Sequence, residues 1–304
     1  MNGLSSRVPD RARYAGLFSG LLLIAVLSWS RPAAADFTVS VEDIRGSLAT
    51  IAQWQPLTEY LTRELGEKVT LLPLVTGKAQ EVAGGGHVPF MINNPIVTAK
   101  VHVQFHSTLV ASLIMPWGDQ FAGVIFTTPA TGIKTVADMH GKSMISHFFA
   151  SAGGGHFFQR YHLHRQGFEV FRDFGSVKEV PRQDDIVLAV RAGVFDVGMC
   201  RTGIIEDLVR KGRARMDDFV VIDKVDDPAY PFVRSTRLYP EWYVAAMPGA
   251  DAATVARMKA ALLRLAPDSA TARSAEIKGF EEPLPIEPLV EVLKTLKIPP
   301  LDKE

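Results

Sequence analysis

The chain has 304 residues, of which 47% are hydrophobic, and its 33 basic and 33 acidic side chains give a formal net charge of +0. This length supports one large or two medium-sized globular domains with substantial cores. The balanced charge gives no support to nucleic-acid binding or to attachment through a polybasic membrane surface. Recognition of an anion would therefore depend on a few local groups.

The first 35 residues have the pattern of a secretory signal peptide. Three arginines precede an apolar run over residues 17–27, and three alanines at 33–35 provide a small-residue cleavage site. The apolar run is short for a membrane span, and neither a twin arginine nor a lipid-attachment cysteine accompanies it. We expect export by the general secretory route, removal of the signal peptide and a soluble mature chain that begins near Asp36. A retained N-terminal anchor is the alternative.

The mature chain opens with alternating strand and helix patterns. Residues 37–41 alternate as a strand, and an amphipathic helix follows over 48–65, ended by Gly66. The next predicted elements are strands at 69–74, 89–92, 108–115 and 121–127 and short helices at 78–82 and 96–101. This order indicates an α/β domain, and we interpret the strand at 121–127 as the crossing into a second lobe.

The second half of the chain continues the alternation of strands and helices, with a partly extended segment at 234–246. Predicted here are helices at 135–140, 156–167, 204–211, 252–265 and 287–296 and strands at 143–147, 171–180, 194–199 and 219–223. No repeat, coiled coil or low-complexity tract interrupts them. The whole mature chain is therefore predicted to belong to the α/β class.

The stretch from Asp184 to Gly203 predicts a binding position. It contains the end of an amphipathic helix, a glycine turn, a short buried strand and then Arg201 and Thr202. Open α/β sheets bind ligands beyond the carboxyl ends of their strands. An arginine fork, a hydroxyl and free helix N–H groups together make an anion receptor. The alternative is an arginine that caps its own loop on a solvated rim.

Three other turns place a small, polar or basic residue between a strand and a helix. They contain Arg45, Asn94, and the pair Ser151 and Gly153 within the glycine-rich segment 148–155. Small residues let backbone N–H groups approach an anion, although the glycine spacing is not that of a nucleotide-binding Walker loop. A flexible linker is the alternative for that segment. Either the four turns converge on one anion, or they are unrelated surface turns.

The sequence does not contain a recognisable catalytic set. It lacks the G-x-S-x-G motif, and Cys200 has no local histidine partner pattern. His162 and His164 have the composition of metal ligands, but two residues apart on a helix they diverge. We therefore predict a protein that is not an enzyme and has neither a cofactor nor a metal.

Several motifs together resemble one family of secreted receptors. They are RGSLATIAQWQPLTEYL at 45–61, NNP at 93–95, FAGVIF at 121–126, GIKTVADMHGK at 132–142, DIVLAVRAGVFDVGMCRTG at 185–203 and STRLYPEW at 235–242. In this order they resemble the periplasmic substrate-binding proteins of the phosphate/phosphonate/phosphite ABC-transporter family. The resemblance is greatest to the branch that forms the sensor domains of tetrathionate-type sensor histidine kinases, and it covers nearly all of the mature chain.

The resemblance implies an α/β fold with the two-lobed architecture of class II periplasmic binding proteins. Each lobe would be a mixed sheet flanked by helices, with the ligand cleft between the lobes. Lobe 1 would comprise 36–121 and 232–304, and lobe 2 would comprise 122–231. On the family pattern, the ligand-binding residues are Arg45, Asn94, Ser151, Gly153, Arg201 and Thr202. Trp54 and Trp242 would pack beneath the cleft.

The function implied is capture of a small oxyanion, either phosphate- or phosphonate-like or a sulfur oxyanion, by a monomeric periplasmic protein. The lobes would close on the anion, and a membrane permease or sensor histidine kinase would then recognise the closed form. The alternative is a freestanding sensor or respiratory accessory subunit for a signal such as tetrathionate or thiosulfate. In that case Cys200 becomes interesting, because such compounds react with thiols, although a buried structural cysteine is the simpler interpretation.

Overall fold

The computed structural model describes residues 36–303. The predicted signal peptide and its cleavage site lie outside the described residues. Within this range no helix combines the length and the apolar character needed to cross a membrane.

The strands of the described chain are short, and most belong to one of two sheets. They are β1 (Phe37–Asp43), β2 (Val69–Val75), β3 (Phe90–Asn93), β4 (Thr108–Ile114), β5 (Gln120–Phe121), β6 (Gly123–Thr127), β7 (Ser143–Ser146), β8 (Ser176–Glu179), β9 (Val197–Arg201), β10 (Val220–Val221), β11 (Tyr239–Pro240), β12 (Tyr243–Ala246) and β13 (Gly279–Glu281).

The two sheets are both mixed, and the chain passes between them twice. The first has the strand order β13-β4-β12-β3-β1-β2, with β1 parallel to β2 and β3. The second has the order β10-β6-β9-β7-β8, with β7 parallel to β8 and β9. Between them, β5 and β11 form a two-stranded antiparallel ladder where the chain leaves and re-enters the first sheet.

Helices cover the faces of both sheets. They are α1 (Ser47–Leu65), α2 (Ala79–Gly84), α3 (Pro95–Phe105), α4 (Phe158–His164), α5 (Val170–Asp173), α6 (Gln183–Arg191), α7 (Ile204–Arg210), α8 (Ala252–Leu263), α9 (Ala270–Ala275) and α10 (Glu287–Thr295). A π-helical turn, Gly153–Phe157, immediately precedes α4.

Apolar stripes at helical spacing explain how the helices attach. On α1, Trp54, Leu57 and Leu61 are buried against the first sheet. On α6, Ile186 and Val190 are buried against the second sheet. At about 25 cal/mol for each Å² of apolar surface removed from water, such stripes supply most of the stabilisation of a fold that has no disulfide.

Most predicted elements are present, and the main differences have local causes. The strand predicted at 194–199 begins only at Val197, because Asp196 is held outside the ladder by the backbone N–H and hydroxyl of Ser143. The strand predicted at 121–127 is divided at Ala122 between β5 and β6. The sequence analysis missed α9 and β13 altogether.

Candidate functional site

A cavity lies between the two sheets, at the carboxyl ends of their parallel strands. From the first sheet it is lined by residues at the ends of β1 and β3, and from the second by residues at the ends of β7 and β9. The cavity volume open to the centres of water molecules is about 60 Å³. One buried water needs roughly 10–15 Å³ by the same measure, so the cavity has room for a few waters or one small ligand.

On the wall formed by the first sheet, two side chains are locked together. Asn94 caps the start of α3, its amide oxygen accepting the N–H groups of Ile96 and Val97 at 3.0 and 3.2 Å. Its side-chain amide and its backbone N–H both donate to one oxygen, Oε2, of Glu42, at 2.7 and 3.0 Å. Asn94 therefore fixes the position of the Glu42 carboxyl group on the cavity wall.

Glu42 is unusual on this wall because it is a buried acid, only 4% exposed. Burial raises the pKa of Glu42 from 4.5 to about 7, although the two hydrogen bonds from Asn94 act in the opposite direction. Its Oε1 atom makes no hydrogen bond to any of the described residues. The cavity wall therefore carries a carboxyl group that titrates near neutral pH.

The wall formed by the second sheet is built largely from backbone. The π-helical turn packs so closely that a Cβ atom on Gly154 would lie 2.6 Å from the Phe121 ring, and one on Gly155 2.7 Å from the Cβ of His147. The glycine-rich segment is therefore a buried, tightly packed turn rather than a flexible linker. The hydroxyl group of Ser151 has no hydrogen-bond partner within the described chain.

His147 and Gln183 complete this wall. The Nδ1 atom of His147 lies 2.9 Å from the carbonyl oxygen of Val180, so this nitrogen carries the proton of the neutral ring and Nε2 is an acceptor. Burial lowers the pKa of His147, which favours the neutral form. Gln183, the first residue of α6, accepts the backbone N–H of Arg201 at 2.8 Å.

Arg201, the last residue of β9, supplies the guanidinium group of the cavity. Its Nη2 atom lies 3.0 Å from Oε1 of the fully buried Glu241, which also accepts the indole N–H of Trp117 at 2.9 Å. The guanidinium carbon lies over the rings of Phe121 and Trp117, 4.5 and 5.3 Å from their centres. Burial raises the pKa of Glu241, and Arg201 opposes this effect. Arg201 therefore lines the cavity while one of its N–H groups is engaged in a structural pair.

The structure brings together four of the six predicted site residues. Asn94, Ser151, Gly153 and Arg201 line the cavity. Trp242, which was predicted to pack beneath the cleft, packs against the core of the first sheet and also lines the cavity. Trp54 is buried in that core, as expected.

The structure places the other two predicted residues, Arg45 and Thr202, outside the cavity lining. Arg45 extends into solvent and forms an ion pair with Glu276 at 2.9 Å, with about half of each side chain exposed. Thr202 is buried behind the wall, where its hydroxyl bonds the Tyr230 hydroxyl at 2.9 Å and accepts the N–H of Ala122 at 3.3 Å. A turn after a strand thus brings a residue close to the cleft without fixing the direction of its side chain.

Sequence reasoning missed Glu42, His147 and Gln183. Glu42 offered a signal, because an acid at the end of the apolar alternation of β1 is unexpected in a buried strand. His147 and Gln183 offered none beyond their positions at the end of a strand and the start of a helix.

A family model describes residues 46–285 of the chain. It is the model of the phosphonate ABC-transporter periplasmic substrate-binding proteins. The chain belongs to this family. Its fold is accordingly that of the class II periplasmic binding proteins, with each lobe a mixed sheet flanked by helices and the cleft between them.

One curated protein and several solved structures are similar to this chain. The tetrathionate sensor histidine kinase TtrS of Salmonella typhimurium is 28% identical over 235 residues, which are 75% of this chain but only 39% of the kinase. Two solved structures share the fold over 86% of this chain and 98% of their own. XAC2383 from Xanthomonas citri, bound to ATP, has a TM-score of 0.68 at 17% identity. PhnD1 from Prochlorococcus marinus, in complex with methylphosphonate, has a TM-score of 0.66 at 12% identity.

Members of this family are binding proteins. Among the described residues, the side chains that could indicate metal binding or thiol chemistry are His162, His164 and Cys200. No group of three or more His, Cys, Asp or Glu side chains within residues 36–303 is placed to hold a metal. His162 and His164 point to different acids, Asp223 at 2.8 Å and Glu169 at 2.5 Å, as their spacing predicted. Cys200 is fully buried, and burial raises its pKa further above its usual range, which disfavours the reactive thiolate.

Proposed function

We propose that this protein captures a small oxyanion in the cavity between its lobes and presents it to a membrane permease in the periplasm. The observation that carries the proposal is the position of Arg201. Its guanidinium group lies at the end of a strand in one lobe and faces the cavity opposite the end of β1 in the other. A fixed arginine beside an unpartnered serine hydroxyl is a donor set suited to an anionic oxygen.

The lobes themselves are part of this proposal. We assign 36–121 and 232–304 to lobe 1 and 122–231 to lobe 2, because the strands of the first sheet fall in the former ranges and those of the second in the latter. The β5–β11 ladder lies where the chain crosses, and it is the natural position for a hinge. A cavity with one wall from each lobe changes its shape when the lobes move. A permease would therefore distinguish the loaded, closed form.

The test is titration calorimetry of the purified protein against phosphate, methylphosphonate, sulfate, thiosulfate and tetrathionate. We expect saturable binding of at least one of them by the wild type. Ser151→Ala should weaken it at least about tenfold, the value of one hydrogen bond to a charged group. Ser176→Ala, at an exposed position on β8, is the control and should bind as the wild type does. Absence of binding across the panel would contradict the proposal.

A second candidate is sensing, favoured by the similarity to the sensor kinase TtrS. In this case the closed form would contact a membrane-bound histidine kinase rather than a permease. Because Cys200 is buried, the signal would be closure on the ligand and not oxidation of the thiol. Genes for a permease and an ATPase beside this one would support uptake, whereas a lone kinase gene would support sensing.

A further inference from the structure

Three ionisable side chains line the cavity, and they do not make it uniformly positive. Arg201 provides a cation that is already paired with Glu241. His147, held with its proton on Nδ1, presents an acceptor nitrogen. Glu42 presents a carboxyl group whose Oε1 has no partner in the described chain. For a site that binds an anion, two acceptors on the walls require an explanation.

The chemistry of a carboxyl group opposite an oxyanion is restrictive. A carboxylate and a fully deprotonated oxyanion repel each other, and in a small cavity they cannot be separated by a shell of water. If a proton lies between the two oxygens, the same contact becomes a short, charge-assisted hydrogen bond. The proton can come from the ligand or from the carboxyl group, but one of them must hold it.

Building on the proposed function, we infer that Glu42 is a specificity-determining residue that selects oxyanions presenting an O–H donor. Inorganic phosphate keeps at least one proton at neutral and mildly alkaline pH, and phosphonates keep a proton in part near neutral pH, so both can donate to this acceptor. Sulfate, thiosulfate and tetrathionate carry no proton at this pH, so they cannot donate a hydrogen bond to Oε1 of Glu42. The carboxyl group thus favours the phosphorus oxyanions over the sulfur oxyanions.

The position of Glu42 suits this role because the surrounding structure holds it in place. Asn94 uses two N–H groups on Oε2, so the carboxyl group cannot turn away from the cavity. The neighbouring acid Asp43 is bound by the hydroxyls of Ser47 and Thr50 and does not line the cavity. Apart from Arg201 and the neutral His147, no ionisable side chain of the described residues lines the cavity together with Glu42.

Because Glu42 is buried, the affinity for the anion should depend on pH. Because the pKa of Glu42 is raised to about 7, lowering the pH protonates it and lets it donate to an anion that has no proton of its own. Binding of sulfate should therefore strengthen as the pH falls, accompanied by uptake of a proton. Binding of phosphate, which can supply the proton itself, should change less.

The experiment is calorimetry of phosphate and sulfate at mildly acidic and mildly alkaline pH, in buffers of different ionisation enthalpy. For the wild type at about pH 9, roughly two units above the pKa of Glu42, we expect phosphate to bind at least about 100-fold more tightly than sulfate, because the carboxyl group is then ionised and each pH unit above its pKa is worth about a factor of ten. Glu42→Gln keeps an oxygen for Asn94 and presents an N–H donor at every pH, so at the alkaline pH it should gain about tenfold or more in sulfate affinity over the wild type. Asp43→Asn removes the same charge one residue away, and its preference should match that of the wild type.

The outcomes separate this inference from the proposed function. If phosphate and sulfate bind the wild type equally, without proton uptake, the role of Glu42 is wrong although the receptor function stands. If neither they nor the other oxyanions bind, the receptor function itself fails. Should Glu42→Gln prove unfolded by circular dichroism, the pH dependence of sulfate binding by the wild type decides alone, and a flat profile overturns the inference.

Discussion

The two walls of the cavity are built in different ways. The wall of lobe 1 consists of side chains that hold one another, with Asn94 capping α3 and fixing Glu42, and it offers mainly an acceptor. The wall of lobe 2 consists of a glycine-rich backbone turn with Ser151 and Arg201 beside it, and it offers mainly donors. A ligand that needs both kinds of partner is fully bound only when both walls reach it.

Two basic side chains form contacts across the cleft and connect the two walls. Arg201 of lobe 2 is paired with Glu241 of lobe 1, and Lys100 of α3 donates to the carbonyl oxygen of Ala150 at 2.6 Å. Both contacts join residues on opposite sides of the cavity. The donor wall is therefore joined to the opposite side of the cavity by Arg201, which itself lines the cavity.

The largest expected effect concerns this shared arginine. Arg201→Ala removes the cationic partner of a fully buried acid, and we expect the free energy of unfolding to fall by about 3 kcal/mol. Urea unfolding of the ligand-free protein measures this loss. A variant that also carries Glu241→Gln should recover much of it, because no buried charge then remains without a partner.

The combination also separates structure from binding. The double variant should recover stability but not affinity. Both variants should bind the anion more weakly than the wild type, because neither has the guanidinium group that lines the cavity. A loss of stability below about 1 kcal/mol in Arg201→Ala would mean that the pair with Glu241 is not formed in solution, and Arg201 would then serve the ligand alone.

A smaller effect is expected from the backbone of the donor wall. In Gly154→Ala the new methyl group would meet the Phe121 ring at 2.6 Å and the Ala122 carbonyl oxygen at 3.0 Å. Overpacking of this kind costs about 2 kcal/mol, measurable by urea unfolding. Gly84→Ala is the matched control, because its new Cβ would meet only the edge of the Phe105 ring at 3.4 Å. We expect it to change stability by less than about 0.5 kcal/mol. Equal effects at both glycines would show that the π-helical turn is looser than described.

The smallest effect is expected at Arg45, which lies outside both walls. Its ion pair with Glu276 is solvent-exposed, so Arg45→Ala should lower the free energy of unfolding by less than about 0.5 kcal/mol. Calorimetry should find the affinity for the anion unchanged within about twofold. A tenfold loss would place Arg45 at the ligand and extend the donor set to lobe 1.

The sequence predicts the parts of this site that depend on backbone direction. The Asn-Pro pair predicts Asn94 at the start of a helix, and the apolar run predicts Arg201 at the end of a strand, and the structure has both residues in these positions. The order of strands and helices also predicted the α/β fold. These features are local, because hydrophobic period and capping chemistry are written into neighbouring residues.

The parts that it does not predict depend on distant neighbours. Arg45 turns outward to an acid more than 200 positions later in the chain, and Thr202 turns inward to Tyr230. Glu42 is held at the cavity wall by Asn94, the residue that caps α3. Side-chain direction at a strand end is decided by such partners, and periodicity contains no information about them.

Cys200 is the single cysteine of the sequence, and it is fully enclosed in the core. A second cysteine placed on an exposed edge of either lobe would therefore be the single accessible thiol of the native protein. A fluorescent dye attached there would report lobe movement without labelling the interior. Because the natural thiol is inaccessible, the protein can be labelled at one chosen site and used as an optical biosensor.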